Sequence, residues 1–218
     1  MYYLSDIKKW YNTLDFHAPV HMLFVSLIHV IVFYSNPNSF WDLGFEKNDE
    51  IYLSVLSLLI HVDSSHLWNN LSLQIPFGFL FEMLHSHLPC ALIFWMSGLF
   101  GALLEIKFLK ENVVYGGASA GDFALVAAFL SHLIMNWKEA KIKYIALFLL
   151  ILYIGLTLVT AVVEQNRNVA HLAHLGGFLH GLVLGNAVVK NYKVYRWERV
   201  VHIISSLLSV LIFLIFLI

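Results

Sequence analysis

The chain has 218 residues, of which 60% are hydrophobic, 15% aromatic and only 12% Asp, Glu, Lys or Arg, against the roughly 25% charged share of a soluble domain. Several apolar windows approach the roughly 20 residues that cross a bilayer, which excludes a soluble catalytic domain and a disordered chain and leaves an all-α polytopic membrane protein. A formal net charge of -1 without a basic block excludes a nucleic-acid partner, and a single cysteine, Cys90, excludes an internal disulfide and any multi-cysteine metal site.

At the N-terminus, Lys8 and Lys9 are followed by a polar stretch through His17 and then by an apolar run too long for the core of a cleavable signal, so that run reads as the first span. Apolar windows fall at Pro19 to Tyr34, Ser65 to Leu84, Leu88 to Ile106, Ala118 to Met135, Tyr144 to Val163, Asn168 to Val189 and Val200 to Ile218. They lack the alternation of barrel strands, and in lipid a helix satisfies its own backbone groups. The acidic, turn-rich connection from Ser35 to Ser64 contains the apolar stretch Ile51 to Ile60 and reads as a structured interfacial loop.

Lys and Arg divide unevenly over the two sides of these spans. Lys8, Lys9, Lys138, Lys141, Lys143, Lys190, Lys193, Arg196 and Arg199 fall on one side; Lys47, Lys107, Lys110 and Arg167 fall on the other. The excess predicts a cytoplasmic N-terminus in a multi-pass protein of the cell membrane, with the first long loop facing out. Residues 1–190 read as one core with an N-terminal cytoplasmic segment, and 191–218 as a polar connector and an additional span.

Polar residues at helical spacing inside an apolar span are costly unless they pair or line a water cavity, so they mark candidate chemistry. In the second span His66 and Asn70 stand one turn apart, with Gln74 a further turn along and His61 in the lead-in. Interhelical hydrogen bonding is the alternative role for Asn70 and Gln74. In VVYGGASAG, Ser119 opens the fourth window, where unpaired backbone N–H groups and the positive helix end suit a negative tetrahedral oxygen. Taken alone, the same small residues are more simply explained as a helix-packing device. The sixth window carries His174, Gly177, Gly181 and Gly185 at three- and four-residue steps. That seam admits another helix, with His171 and His180 as competitors for a base role.

The order and depth of HLWNN, GGASAG and AHLGGFLHG resemble the rhomboid intramembrane serine proteases across residues 17 to 190. The resemblance implies a six-helix bundle plus a seventh transmembrane helix, with Ser119 as nucleophile and His174 as its base. It implies an oxyanion hole of His66, Asn70 and the Ser119 N–H, and helix packing through Gly117, Gly177 and Gly181. It further implies transmembrane protein substrates within the lipid bilayer and no cofactor or metal. Phe123 stands where bacterial members often have tyrosine and keeps a ring against His174. Asp122, the least expected residue, could orient a histidine or meet a partner such as His180. A rhomboid-like protein that binds helices without cutting them, and a membrane protein using its histidines as metal ligands, are the competing readings; the depths of His85 and His87, opposite the main cluster, count against the latter.

Overall fold

A computed structural model describes residues 16–36, 38–47, 49–108, 114–163 and 170–217. Lys8, Lys9, Lys110, Arg167, Asn168 and Ile218 lie outside the described residues. Among the described residues the regular structure is helical, as expected, with turns between the helices and one isolated bridge between Phe45 and Tyr115.

The first span is α1 (Val20–Ser35), a run without a charged residue. Its N-cap is Pro19, which offers no side-chain acceptor. Glu82 supplies one from a neighbouring helix, accepting the His21 and Met22 N–H groups at 2.8 Å each. The long connection folds into two short helices, α2 (Ser39–Leu43) and α3 (Ile51–Leu56), followed by a 3-10 turn at Ser57–Leu59.

The second window reads as one uninterrupted span, but it is divided into α4 (Ser64–Leu73), a π turn at Gln74–Gly78 and α5 (Phe79–His85). Pro76 lies in that turn and has no N–H for the α-helical ladder, which accounts for the widened backbone. Ser86, at φ 75°, reverses the chain into α6 (His87–Phe108). The remaining windows form α7 (Ser119–Met135), α8 (Lys143–Val163), α9 (His171–Val188) and α10 (Arg196–Leu217). Among the described residues, His87–Phe108 and Arg196–Ile215 are long and apolar enough to cross a membrane by themselves.

The helices α6, α7 and α9 form the centre. A Cβ on Gly177 would fall 2.1 Å from the Ala120 carbonyl oxygen, and one on Gly181 would fall 2.5 Å from the Ala124 Cα. The backbones of α7 and α9 therefore touch along a seam that only glycine permits. Met22, Phe81, Phe94 and Leu125 fill the core on the α1 side.

Two buried polar knots attach the last segment. In the first, the Lys190 N–H donates to His85 Nδ1 at 3.0 Å, His85 Nε2 lies 3.0 Å from His132 Nδ1, and Asn136 holds both the Lys190 carbonyl and the Tyr192 N–H. In the second, His180 lies between Ser97 of α6, at 2.9 Å, and Ser209 of α10, at 3.0 Å, with Phe100 and Phe213 packed on its ring.

Candidate active site

Ser119 is the first residue of α7, after Ala118 at an N-cap without a side-chain hydrogen bond. The N–H groups of the first turn therefore lack intrahelical acceptors. The approach to Ser119 is held by backbone. Phe45 and Tyr115 exchange N–H to carbonyl bonds of 2.9 and 2.8 Å, and the Gly117 N–H donates to the Ser57 carbonyl at 2.8 Å. Tyr115 is buried, and that burial pushes its phenol up, with the carboxyls of Glu105 and Asp122 adding to the effect.

Across the glycine seam, His174 Nε2 lies 2.8 Å from Ser119 Oγ. This is the reach needed for a base to take a serine proton. The Phe123 ring stacks on the imidazole at 4.5 Å between centroids and 14° between planes, as its position one turn beyond Ser119 predicts. His180 is tied to Ser97 and Ser209, and His171 is exposed; neither meets Ser119.

On the other side stands the polar stripe of α4. Asp63 caps this helix, accepting the His66 N–H at 2.8 Å and the Ser65 hydroxyl at 2.7 Å. Gly117 has φ 132°, and a Cβ there would fall 2.7 Å from His66 Cε1, 2.8 Å from its Nε2 and 3.7 Å from Asn70 Nδ2. Both side chains thus look onto the bare backbone two residues before Ser119. Asn70 Nδ2 and His66 Nδ1 are buried without a hydrogen-bond partner among the described residues. Gly117 consequently serves a different contact from the expected one. It abuts His66 on α4, whereas Gly177 and Gly181 form the α7–α9 seam, because the chain has not yet entered α7 at residue 117.

Asp122 is fully buried, and neither carboxyl oxygen has a hydrogen-bond partner among the described residues; the suggested link to His180 is replaced by Ser97 and Ser209. Gln74 donates to Ser26 Oγ at 2.8 Å and so joins the π turn to α1. His29 escaped the sequence reading, although Ser26 stands three residues before it on the same helix. It is nevertheless buried, and its ring meets that of His61 at 5.2 Å, which in turn meets His66 at 5.1 Å. Glu105 also escaped, although a lone carboxylate near the end of an apolar span was a usable signal. It accepts the Ala173 N–H at 2.8 Å, one residue before His174.

Among the described residues, His21, Glu82 and Cys90 bring potential metal-ligand atoms within 4.8 Å of one another. They lie at the end of the bundle away from Ser119. The His21 Nε2 lone pair accepts the Trp95 indole N–H at 3.1 Å, and Glu82 is occupied by two backbone N–H groups and His87. This cluster is organised for capping and packing.

Comparison with known proteins adds an independent finding. Residues 48–191 match the Rhomboid domain family. Rhomboid-related protein 1 of Caenorhabditis elegans is 28% identical over 156 residues, covering 69% of this chain and 44% of that protein. Human Rhomboid-related protein 3 is 26% identical over 221 residues, covering 85% of this chain and 53% of its own length. Rhomboid-type serine protease 2 of Emericella nidulans is 25% identical over 152 residues, covering 70% of this chain and 29% of that protein. The chain thus spans about half the length, or less, of these curated relatives.

Proposed function

Because the chain belongs to the rhomboid family, and is therefore a multi-pass membrane protein of the intramembrane-protease class or its catalytically silent branch, we propose that it is an active serine endopeptidase that cuts other membrane proteins in or beside their transmembrane segments. The observation that carries this reading is the 2.8 Å approach of His174 Nε2 to Ser119 Oγ.

In the first half-reaction the Ser119 oxygen attacks the scissile carbonyl carbon while His174 takes the hydroxyl proton. The carbonyl oxygen becomes negative where His66, Asn70 and the Ser119 N–H can donate to it. Collapse of the tetrahedral intermediate breaks the C–N bond, and His174 returns the proton to the leaving amine. Water then attacks the acyl ester, with His174 again taking a proton, to release the acid and restore Ser119. Helical backbone has its carbonyls already engaged, so the substrate enters extended, and Gly or Pro near the cut favours that state.

The same reading places the catalytic core at residues 1–190, with 191–218 as connector and seventh span, the N-terminus in the cytoplasm and the site toward the outer face of the cell membrane. The Lys and Arg asymmetry of the sequence supports this orientation.

The test is cleavage of a labelled transmembrane substrate in liposomes, paired with covalent labelling by a serine-directed phosphonate. The native chain is expected to cut and to label. Ser119→Ala loses both activities, and His174→Ala falls by at least about a thousandfold. Undiminished cleavage in either variant overturns the dyad; a folded native chain that neither cuts nor labels belongs to the silent branch.

A further inference from the structure

The helix carrying His174 lacks a cap of its own. It begins at His171 with Ala170 at the N-cap, a residue with no side-chain acceptor. Helix starts of this kind leave several N–H groups unpaired, and alanine is among the poorer residues at that position. The third of these groups, the Ala173 N–H, is met by Glu105 Oε2 at 2.8 Å, from a residue 68 positions earlier on α6. Glu105 is 8% exposed, so its carboxylate has little water to compensate for a lost partner. Its negative charge also stands at the positive end of α9.

We propose that Glu105 is a positioning residue for the dyad, capping α9 from α6 and thereby fixing the turn from which His174 reaches Ser119. This inference rests on the dyad reading above and adds a residue to it. The bond lies within a tight interface. A Cβ on Gly101 would fall 2.5 Å from the Ala173 carbonyl oxygen, and one on Gly176 would fall 2.9 Å from Leu104 Cδ2. The face made by Gly101, Leu104 and Glu105 therefore grips the first turns of α9, and α9 cannot slide along its axis without breaking the Glu105 bond.

Three constraints then meet on one turn. Glu105 fixes α9 along its axis, Gly177 against Ala120 sets its distance from α7, and Phe123 holds the plane of the imidazole. Elsewhere in the bundle Glu82 caps α1 from α5 through the same kind of bond. The difference is location: the donor to Glu105 belongs to the residue immediately before His174.

The experiment uses the full chain in liposomes with Glu105→Gln, Glu105→Asp and Glu105→Ala. Glutamine keeps the length and the acceptor but drops the charge; aspartate keeps the charge but falls one methylene short. The readouts are kcat and KM on the labelled transmembrane substrate, the rate of phosphonate labelling, and the thermal midpoint. Because misplacing a catalytic group by about 1 Å is worth about a hundredfold, Asp and Ala are expected to lower kcat by about tenfold or more, with KM changed less than about twofold. Glutamine, which preserves the geometry, is expected to stay within about threefold of native. Native kcat in the aspartate variant, or glutamine as slow as aspartate, overturns the proposal. If the alanine variant does not fold, the Gln and Asp pair decides. Ser119→Ala and His174→Ala are run in parallel. Activity surviving in those variants refutes the dyad itself, whereas their loss alongside native kcat in all the Glu105 variants refutes only the positioning role.

Discussion

The contact between α7 and α9 allows a quantitative trial at Gly177. Its added Cβ would lie 2.1 Å from the Ala120 carbonyl oxygen, whereas close carbon–oxygen contacts are found at about 3.3 Å. The shortfall of about 1 Å falls on backbone, which cannot rotate away as a flexible side chain would, so the helices must part or shift by about that amount. Gly177 is three residues from His174, and Ala120 follows Ser119, so the displacement is delivered to the 2.8 Å dyad contact. Gly177→Ala is therefore expected to lower kcat by about a hundredfold and to destabilise the bundle by about 1–3 kcal/mol. The assay is substrate cleavage in liposomes with phosphonate labelling, beside a thermal melt of the same preparation. Gly155→Ala on α8 is the control, because nothing lies within 4 Å of its added Cβ, and it should behave as native. A Gly177→Ala protein with both native rate and native melting would refute the idea that this seam sets the reactive distance.

Other expectations follow from single contacts. Phe123→Ala removes the ring stacked on His174 and should lower the cleavage rate by about two- to tenfold, the range of an aromatic pair worth about 0.5–1.5 kcal/mol; Phe123→Tyr should keep it, and equal loss in both would argue against stacking. Asp63→Ala should destabilise the protein by about 0.5–2 kcal/mol in a thermal or denaturant melt, since it uncaps α4, while Asp63→Asn retains the acceptor and most of the stability. His180→Ala leaves Ser97 and Ser209 without their shared partner and should destabilise by about 1–3 kcal/mol per buried group left unpaired. An unchanged melting temperature there would mean that α10 docks without that link.

The sequence made the spans legible because composition and length are the signals that a bilayer imposes. It also exposed the polar stripe of α4, since His66 and Asn70 repeat at helical spacing, and the seam, since Gly177 and Gly181 do the same. Other features depend on contacts between distant segments, which no local period encodes. His29 in α1 gains a ring partner only when the loop brings His61 against it. Glu105 looks like an ordinary charge near a helix end until Ala173, 68 residues later, presents its N–H. The π turn was partly visible in Pro76, but whether a proline kinks, breaks or widens a helix depends on what surrounds it. Gly117, which the resemblance links to the α7–α9 contact, lies against His66 at a positive φ, and no local period encodes that backbone conformation.

The bridge between Phe45 and Tyr115, together with the Gly117 to Ser57 bond, makes door and threshold a single piece. Lifting the connection between α1 and α4 must rupture those backbone links or drag Gly117 along, and with it the bare surface faced by His66 and Asn70. Stiffness in a region remote in sequence thus protects the floor on which a developing charge would rest, and loosening that region would deform that floor.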